Sequence, residues 1–362
     1  MKNGIISRRL VLGGMAGAGA GLALGGCSTD GGGAQSTAPT SSGAAGAQVG
    51  GSFTATDFAA LKGASVGVVG VNLKGPTVAR AVKIMEDLGK EHDFKVDAVD
   101  TAFDLLKTND TMRVWADKGY DAIVVANTEA PNIGDGLDAA GAKNIPVAGF
   151  YCGLAPGLAF DIGANEWIAG NKVATYISQR LLVENKGRGI AIFGYTPLAN
   201  LRTRELSVTT QADFYKIPIV ARQEVNADNS AVDVQNKTTD ILTRYPAGGD
   251  LGAIFVPWDE GGYSAVSALE AAGRDDIFVV SLDGEQPNLD SIRKGGPQGA
   301  TVVNDMVAVS NVVLTELGKI MAGGEPPKNP QLYVDSPLVT DANVPAPGVI
   351  PEGTGLTPFY TG

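Results

Sequence analysis

The chain has 362 residues, 44% hydrophobic and 19% charged, the composition of a folded globular protein rather than a disordered one. Its net charge of -11 argues against nucleic acid or anionic lipid as a partner. One histidine and two cysteines, with only Cys152 outside the N-terminal segment, exclude an internal disulfide and a cysteine-based zinc site, and no metal or cofactor is expected.

Residues 1–27 read as a targeting segment and are set aside from the fold. Lys2, Arg8 and Arg9 form a basic start, and Leu10 to Leu24 is apolar and rich in Gly and Ala. The run is too short and glycine-rich for a transmembrane helix. It closes on Leu24-Gly25-Gly26-Cys27, which resembles a bacterial lipobox and implies a diacylglyceryl thioether on Cys27. Ser7-Arg8-Arg9-Leu10-Val11-Leu12 also resembles a twin-arginine signal, with Val11 where Phe is usual, so both export routes stay open. Residues 28–52 are almost entirely Gly, Ser, Ala, Thr and Gln, a tether spanning roughly 25–30 Å by flexible-linker scaling.

Beyond the tether, about 310 residues suffice for two domains. Short apolar, β-branched runs recur at Ser65–Val71, Phe94–Val99, Asp121–Ala126, Pro146–Phe150, Gly189–Gly194, Ile217–Val225, Ala253–Pro257, Ile277–Leu282 and Ala300–Asn304. Their near-continuous hydrophobicity predicts parallel strands buried on both faces. Helical stripes lie between them: Val78, Val82, Met85 and Leu88; Leu105, Met112 and Trp115; Ile133, Leu137 and Ala140; Ala174, Ile177 and Leu181; Val266 and Leu269; and Val309, Val312, Leu317 and Ile320. The beat of 25–30 residues is that of βαβ units, so the reading is α/β, with doubly wound parallel sheets. Ligands of such sheets sit beyond the carboxyl ends of the strands, and two facing sheets would hold a cleft between them.

Several segments resemble one family in order and spacing. Tyr120 to Asn127 followed by Lys143-Asn144-Ile145-Pro146-Val147 has its D-A-I strand, helix and N-I-P-V pattern. Gly163 to Glu166 with Ala169-Gly170, Arg202-Thr203-Arg204-Glu205, Ala253 to Glu260, Val279 to Gly284, and Ala300 to Asn304 continue it. Together, over residues 62–324, they resemble the type I periplasmic binding proteins, in particular the ribose- and galactose-binding group. The resemblance implies two Rossmann-like domains joined by a three-crossover hinge, with crossings near Gly163, Asn304 and Lys328 and a returning helix over Asp305–Met321. The N-terminal lobe would comprise residues 53–163 and 305–328, the C-terminal lobe residues 164–304 and 329–345, and residues 346–362 a tail. It also implies capture of a small polar, carbohydrate-like solute, delivery to an ABC permease, a monomer, and a place outside the cytoplasmic membrane.

Sugar hydroxyls require donors and acceptors, and sugar ring faces pack on aromatic rings. The resemblance places Asp283 as the acidic ligand residue, Arg204 as a donor, and Asn304 and Asn127 as amides at strand ends. Their structural alternatives are a turn or helix-cap aspartate, a solvated helix charge, a hinge residue and a turn residue. Trp258 stands where Asn is usual, Tyr151-Cys152 where an Asp-Arg pair is usual, and Pro76-Thr77-Val78 where stacking phenylalanines are usual. Trp258, Tyr151 and Trp167 are therefore the candidate stacking rings, Asn72 and Lys74 further contacts, and Cys152 a small apolar residue at the rim.

No G-x-G-x-x-G or Walker loop is present, and the lone His92 reads as a solvated loop residue, so an enzyme is disfavoured. Asp259-Glu260 could serve acid–base work but reads more simply as helix capping. A sensor signalling to a membrane receptor is the other alternative. Pentose, hexose, polyol, nucleoside and anionic solutes remain open as ligands.

Overall fold

The computed structural model describes residues 55–351 apart from 185, 227 and 228. The targeting segment with Cys27, the tether and the end of the tail lie outside these described residues. In chain order, a 3-10 turn at Ala55–Leu61 precedes β1 (Ser65–Gly70), α1 (Pro76–Glu91), β2 (Lys95–Asp100), α2 (Leu105–Lys118), β3 (Ala122–Ala126), α3 (Gly134–Gly141), β4 (Val147–Phe150) and β5 (Phe160–Ala164). The second half holds α4 (Glu166–Val183), β6 (Gly189–Gly194), α5 (Ala199–Tyr215), β7 (Ile219–Glu224), α6 (Ser230–Arg244), β8 (Leu251–Phe255), α7 (Asp259–Ala271), β9 (Phe278–Asp283), α8 (Gln286–Arg293) and β10 (Gln298–Val303). The chain ends with α9 (Met306–Met321), β11 (Gln331–Val334) and β12 (Leu338–Thr340).

These elements build two six-stranded sheets, ordered β11-β5-β4-β3-β1-β2 and β12-β10-β9-β8-β6-β7. The pairings are parallel except for the antiparallel β10–β12 pair. Central strands such as β3, β6, β8 and β9 are buried along their whole length, as their unbroken hydrophobic runs require. The outer strands β2 and β7 carry Lys95, Asp97, Arg222 and Glu224, charges that keep an exposed edge from pairing with another chain.

The chain passes between the lobes at three places, and side chains anchor each. Asn165 Oδ1 caps α4 by accepting from the Ile168 N–H at 3.1 Å. Asp305 caps α9 by accepting from the Ala308 N–H at 2.8 Å. In the third crossing the Val303 N–H donates to the Pro337 carbonyl at 2.9 Å, and Lys172 Nζ donates to the Ser336 carbonyl at 2.5 Å. The returning helix α9 buries Val309, Val312, Val313 and Leu317 against the first lobe's core with Val68, Met85 and Phe150.

One boundary differs from the sequence reading. Residues 331–334, expected in the C-terminal lobe, form β11 and pair with β5 of the first sheet, so the third crossing follows Val334 instead of falling near Lys328. β5 and β11 were both absent from the predicted strands because each is broken by polarity. Asp161 interrupts the β5 run, yet it is buried: its carboxylate accepts from the Cys152 N–H and from Gln331 Nε2, both at 2.8 Å, which joins β4, β5 and β11. Cys152 is likewise not at the rim. It sits in the core beside Val69, Met112 and Val125, and burial pushes its thiol above the ordinary range. His92 closes α1 with its ring 5.0 Å from that of Phe58, rather than lying in a solvated loop.

The second lobe's α4 and α5 pack closely because Gly170 carries no side chain. A Cβ there would stand 2.7 Å from Ser207 Oγ and 3.2 Å from Arg204 Cα. Overpacking of this kind costs about 1–3 kcal/mol. Gly170→Val is therefore expected to lower the melting temperature of the purified protein by several degrees, read by circular dichroism. An unchanged transition would mean that the α4–α5 contact is loose.

Candidate functional site

The carboxyl ends of the two sheets face each other across a cleft. Seven of the nine residues singled out from the sequence line one narrow cavity of about 80 Å³ there: Asn72, Asn127, Tyr151, Arg204, Trp258, Asp283 and Asn304. Asn72 follows β1, Asn127 ends β3, Tyr151 ends β4, Trp258 follows β8 and Asp283 ends β9. Asn304 lies in the second crossing, and Arg204 is on the first turns of α5. Lys74 and Trp167 do not line it. Lys74 is exposed in the β1–α1 turn. Trp167 is 54% exposed because α4 turns Ala169, Gly170, Val173 and Ala174 inward instead.

Three lining residues, Asn127, Tyr151 and Asp283, have φ values of 56°, 58° and 136°, a backbone region that favours glycine. Each stands at a strand end, where the left-handed turn lets the strand stop and the side chain enter the cleft. Asp283 is followed by Gly284 at φ 76°, where an added Cβ would meet Val303 at 2.5 Å. Only glycine fits that second position.

Arg204 is the centre of the electrostatics, 1% exposed. Its Nε donates to Glu166 Oε2 at 2.5 Å and its Nη2 to Glu166 Oε1 at 2.9 Å, a two-pronged pairing. Its Nη1 donates to the Pro257 carbonyl at 2.8 Å and to Asp283 Oδ1 at 2.9 Å. Four of the five guanidinium hydrogens are thereby engaged, leaving one at Nη2. The expected solute donor is thus first a positioning residue for Asp283. Asn304 Nδ2 also donates to Asp283 Oδ1, at 2.8 Å, and Oδ2 has no partner among the described residues. Asn304 Oδ1 is buried and unpaired, and the buried Tyr151 hydroxyl has no partner in hydrogen-bond geometry. The side-chain amides of Asn72, Asn127 and Asn200, all lining the cavity, make no hydrogen bonds within the described protein. A polyhydroxylated molecule is what such an array of free donors and acceptors would satisfy.

The ring wall comprises Trp258 and Tyr195, with ring centroids 5.3 Å apart, next to Leu198, Leu201 and Val78. Tyr195, Asn200, Thr77 and Glu285 escaped the sequence reading. Tyr195 sits on the proline-containing β6–α5 loop and Asn200 on the first turn of α5, with no distinguishing motif at either. Glu285 lies two residues beyond Asp283, just past the segment that carries the resemblance.

Polar contacts join the lobes across the cleft. Thr77 Oγ1 donates to Glu285 Oε1 at 3.0 Å, and Arg202 Nη2 pairs with Glu129 at 2.7 Å. Val71 of the first lobe packs among Tyr195, Leu198 and Leu201 of the second. Asp259 lies behind the cavity, wholly buried. It accepts from Ser281, from Thr301 Oγ1 at 2.9 Å and from the Glu285 N–H at 2.8 Å, which fixes the loop carrying Glu285. It is thus a loop anchor, set apart from acid–base chemistry.

Acids outnumber bases here, with Asp283, Glu285 and Glu260 lining the cavity against Arg204 alone. Burial, with Asp283 and Asp259 nearby, pushes the Glu285 carboxyl up to about 8. Burial pushes Asp283 up to about 7 against the pull of Arg204. Arg204 stays charged: burial opposes this, but Glu166 and Asp283 more than offset it. Burial also keeps the Tyr151 phenol well above its ordinary range, hence neutral. Among the described residues no group of His, Cys, Asp and Glu is placed to hold a metal ion, and no helix is long and apolar enough to cross a membrane.

Two α/β lobes with polar groups converging on the cleft between them define a solute-binding protein. Residues 66–325 match the family model described as periplasmic binding protein domain, and the chain belongs to that family. It is 26% identical over 244 residues to the ribose import binding protein of Haemophilus influenzae, covering 67% of this chain and 79% of the relative. It is 25% identical over 277 residues to the ribose import binding protein of Bacillus subtilis, covering 76% and 86%. Among solved structures, an ABC transporter solute-binding protein from Agrobacterium vitis with bound allitol superposes with a TM-score of 0.70 at 21% identity, covering 78% of this chain and 97% of that one. The chain is a transport-type binding protein, and the enzyme alternative falls away.

A carboxyl whose pKa is raised on folding binds more protons folded than unfolded, so stability declines as pH climbs from the unfolded value to the folded one. For Glu285 that window runs from its ordinary value of 4.5 to about 8. The melting temperature is expected to be higher at pH 5.5 than at pH 8, and Glu285→Gln to flatten this slope while raising stability at pH 8. A Glu285→Gln profile parallel to wild type would place the carboxyl in a solvated setting.

Proposed function

We propose that this chain is the extracytoplasmic binding component of an ABC importer and captures a neutral polyhydroxylated solute, a sugar or sugar alcohol, as the lobes close. The observation that carries the reading is the Asp283 carboxylate, held by Arg204 and Asn304 through Oδ1, in one cavity with Trp258 and the amides of Asn72, Asn127 and Asn200, which are unpaired among the described residues. Arg204, the basic group lining the cavity, is already paired with Glu166 and Asp283, which disfavours sugar acids and phosphates. The ribose importers among its relatives and the allitol complex among its structural neighbours support the same solute class. The hinge-closing motion of such lobes would shut the solute away from water and present a closed shape to the permease.

The test is a calorimetric titration of the purified protein with pentoses, hexoses, polyols and nucleosides. Loss of one hydrogen bond to a charged acceptor weakens binding by roughly 10- to 100-fold. Asp283→Asn is expected to show that loss for the solute that binds. Trp258 alone of the three tryptophans lines the cavity, so Trp258→Phe is expected to remove the solute-induced change in tryptophan fluorescence. Full affinity in Asp283→Asn would move the site elsewhere.

We further propose that Cys27 is lipidated and tethers the lobes to the outer face of the membrane. Cys27→Ser, expressed in a bacterial host, is expected to move the protein from the membrane fraction to the soluble extracytoplasmic fraction. Equal membrane association of both forms would rule the anchor out.

A further inference from the structure

The cleft does not end at the narrow cavity. A second cavity of about 260 Å³ lies between the same lobes and shares four lining residues with the first: Asn127, Tyr151, Leu198 and Asn200. The two cavities adjoin at those residues, the neck between them. The second, here called the outer cavity, is the larger, and its walls differ in kind. Val71, Phe103 and Leu105 of the first lobe face Pro197 and Ala199 of the second. Phe103 and Leu105 are each 37% exposed, large apolar side chains left open to solvent at the mouth of a cleft.

Their placement is built rather than incidental. Ala102 and Phe103 both have positive φ, 51° and 64°, and the Phe103 N–H donates to the Val71 carbonyl at 2.8 Å. The strained turn after β2 is thus pinned to the end of β1 with its ring beside the neck. The polar groups of the outer cavity, by contrast, are already engaged. Thr128 Oγ1 donates to the Ala126 carbonyl at 3.0 Å, and Glu129 pairs with Arg202. Beyond the two neck amides, the buried Tyr151 hydroxyl and the exposed Asn132 are left among the described residues. A second sugar ring, with a hydroxyl on nearly every carbon, would be short of partners there, whereas an apolar group would pack on Val71, Phe103, Leu105 and Pro197.

We propose that the solute is a glycoside: the sugar sits in the inner cavity and a compact apolar aglycone on its anomeric carbon fills the outer one. This rests on the sugar-binding reading above and narrows it. The neck amides Asn127 and Asn200 flank the glycosidic link, and Phe103 and Leu105 cover the aglycone.

The experiment is calorimetric titration of the purified full chain with D-ribose, D-xylose, D-glucose and D-galactose, each beside its methyl and phenyl glycosides. For the sugar that binds best, the phenyl glycoside is expected to bind at least about tenfold more tightly than the free sugar, from burial of the ring. Phe103→Ala, which alters an exposed side chain, and Ala199→Trp, which fills the outer cavity, are each expected to shrink that ratio towards one. A sugar that binds while its phenyl glycoside binds no better overturns the aglycone site and leaves sugar capture standing. A tighter phenyl glycoside whose advantage survives both variants also overturns it. Absence of binding by every free sugar and every glycoside overturns the proposal together with the sugar reading.

Discussion

The site depends on one buried cation. Arg204 draws together the start of α4 through Glu166, the end of β8 through the Pro257 carbonyl and the end of β9 through Asp283. Each partner comes from a different part of the second lobe, so the guanidinium fixes their relative positions as well as balancing their charge. A buried ion pair of this kind is costly to desolvate and contributes little net stability, but removing one member leaves an uncompensated charge. Its value lies in geometry. Asn304, at the second crossing, joins the same group through Asp283, so the hinge and the binding surface share an anchor.

Around that anchor the backbone is held in conformations it would not choose. Non-glycine residues with positive φ cost of order 1–3 kcal/mol each and persist only where neighbours over-determine them. Here Asn127 donates its N–H to Phe150 at 2.7 Å and Tyr151 its N–H to Ile162 at 3.0 Å, while the Asp283 carbonyl accepts from the Asn304 N–H at 3.1 Å. Adjacent strands thus hold the strained residues in place, and the buried strands behind them supply the stability. The sheets are apolar and regular, and the irregularity is collected at their carboxyl ends.

That division explains what could be read from the sequence. The runs that became β3, β6, β8 and β9 are buried on both faces, so hydrophobicity alone revealed them. β5 and β11 are also structural, but their pairing depends on Asp161 and Gln331, polar residues whose burial no local pattern announces. Within the site, Asp283, Arg204, Asn304, Asn127 and Trp258 were singled out because the resemblance marks strand ends and a helix start in a fixed order. Trp167 was misread because an aromatic ring near a crossing gives no sign of which helix face it will occupy. Glu166 is the reverse case: adjacent to Trp167, it was given no role from the sequence, yet it pairs with Arg204 through both carboxylate oxygens. The outer cavity was invisible because its walls, Phe103 and Pro197, meet only when the lobes do.

The charges of the narrow cavity are distributed unevenly between its two faces. Arg204, Asp283, Glu260 and Glu285 all belong to the second lobe, while the first contributes Asn72, Asn127, Thr77 and Tyr151. With the lobes apart, a solute would still find the complete charged half of its site assembled on one surface, since the Arg204 network lies within that lobe. Encounter is then governed by the second lobe. The first arrives afterwards with uncharged groups and excludes water, so it governs how long the solute stays.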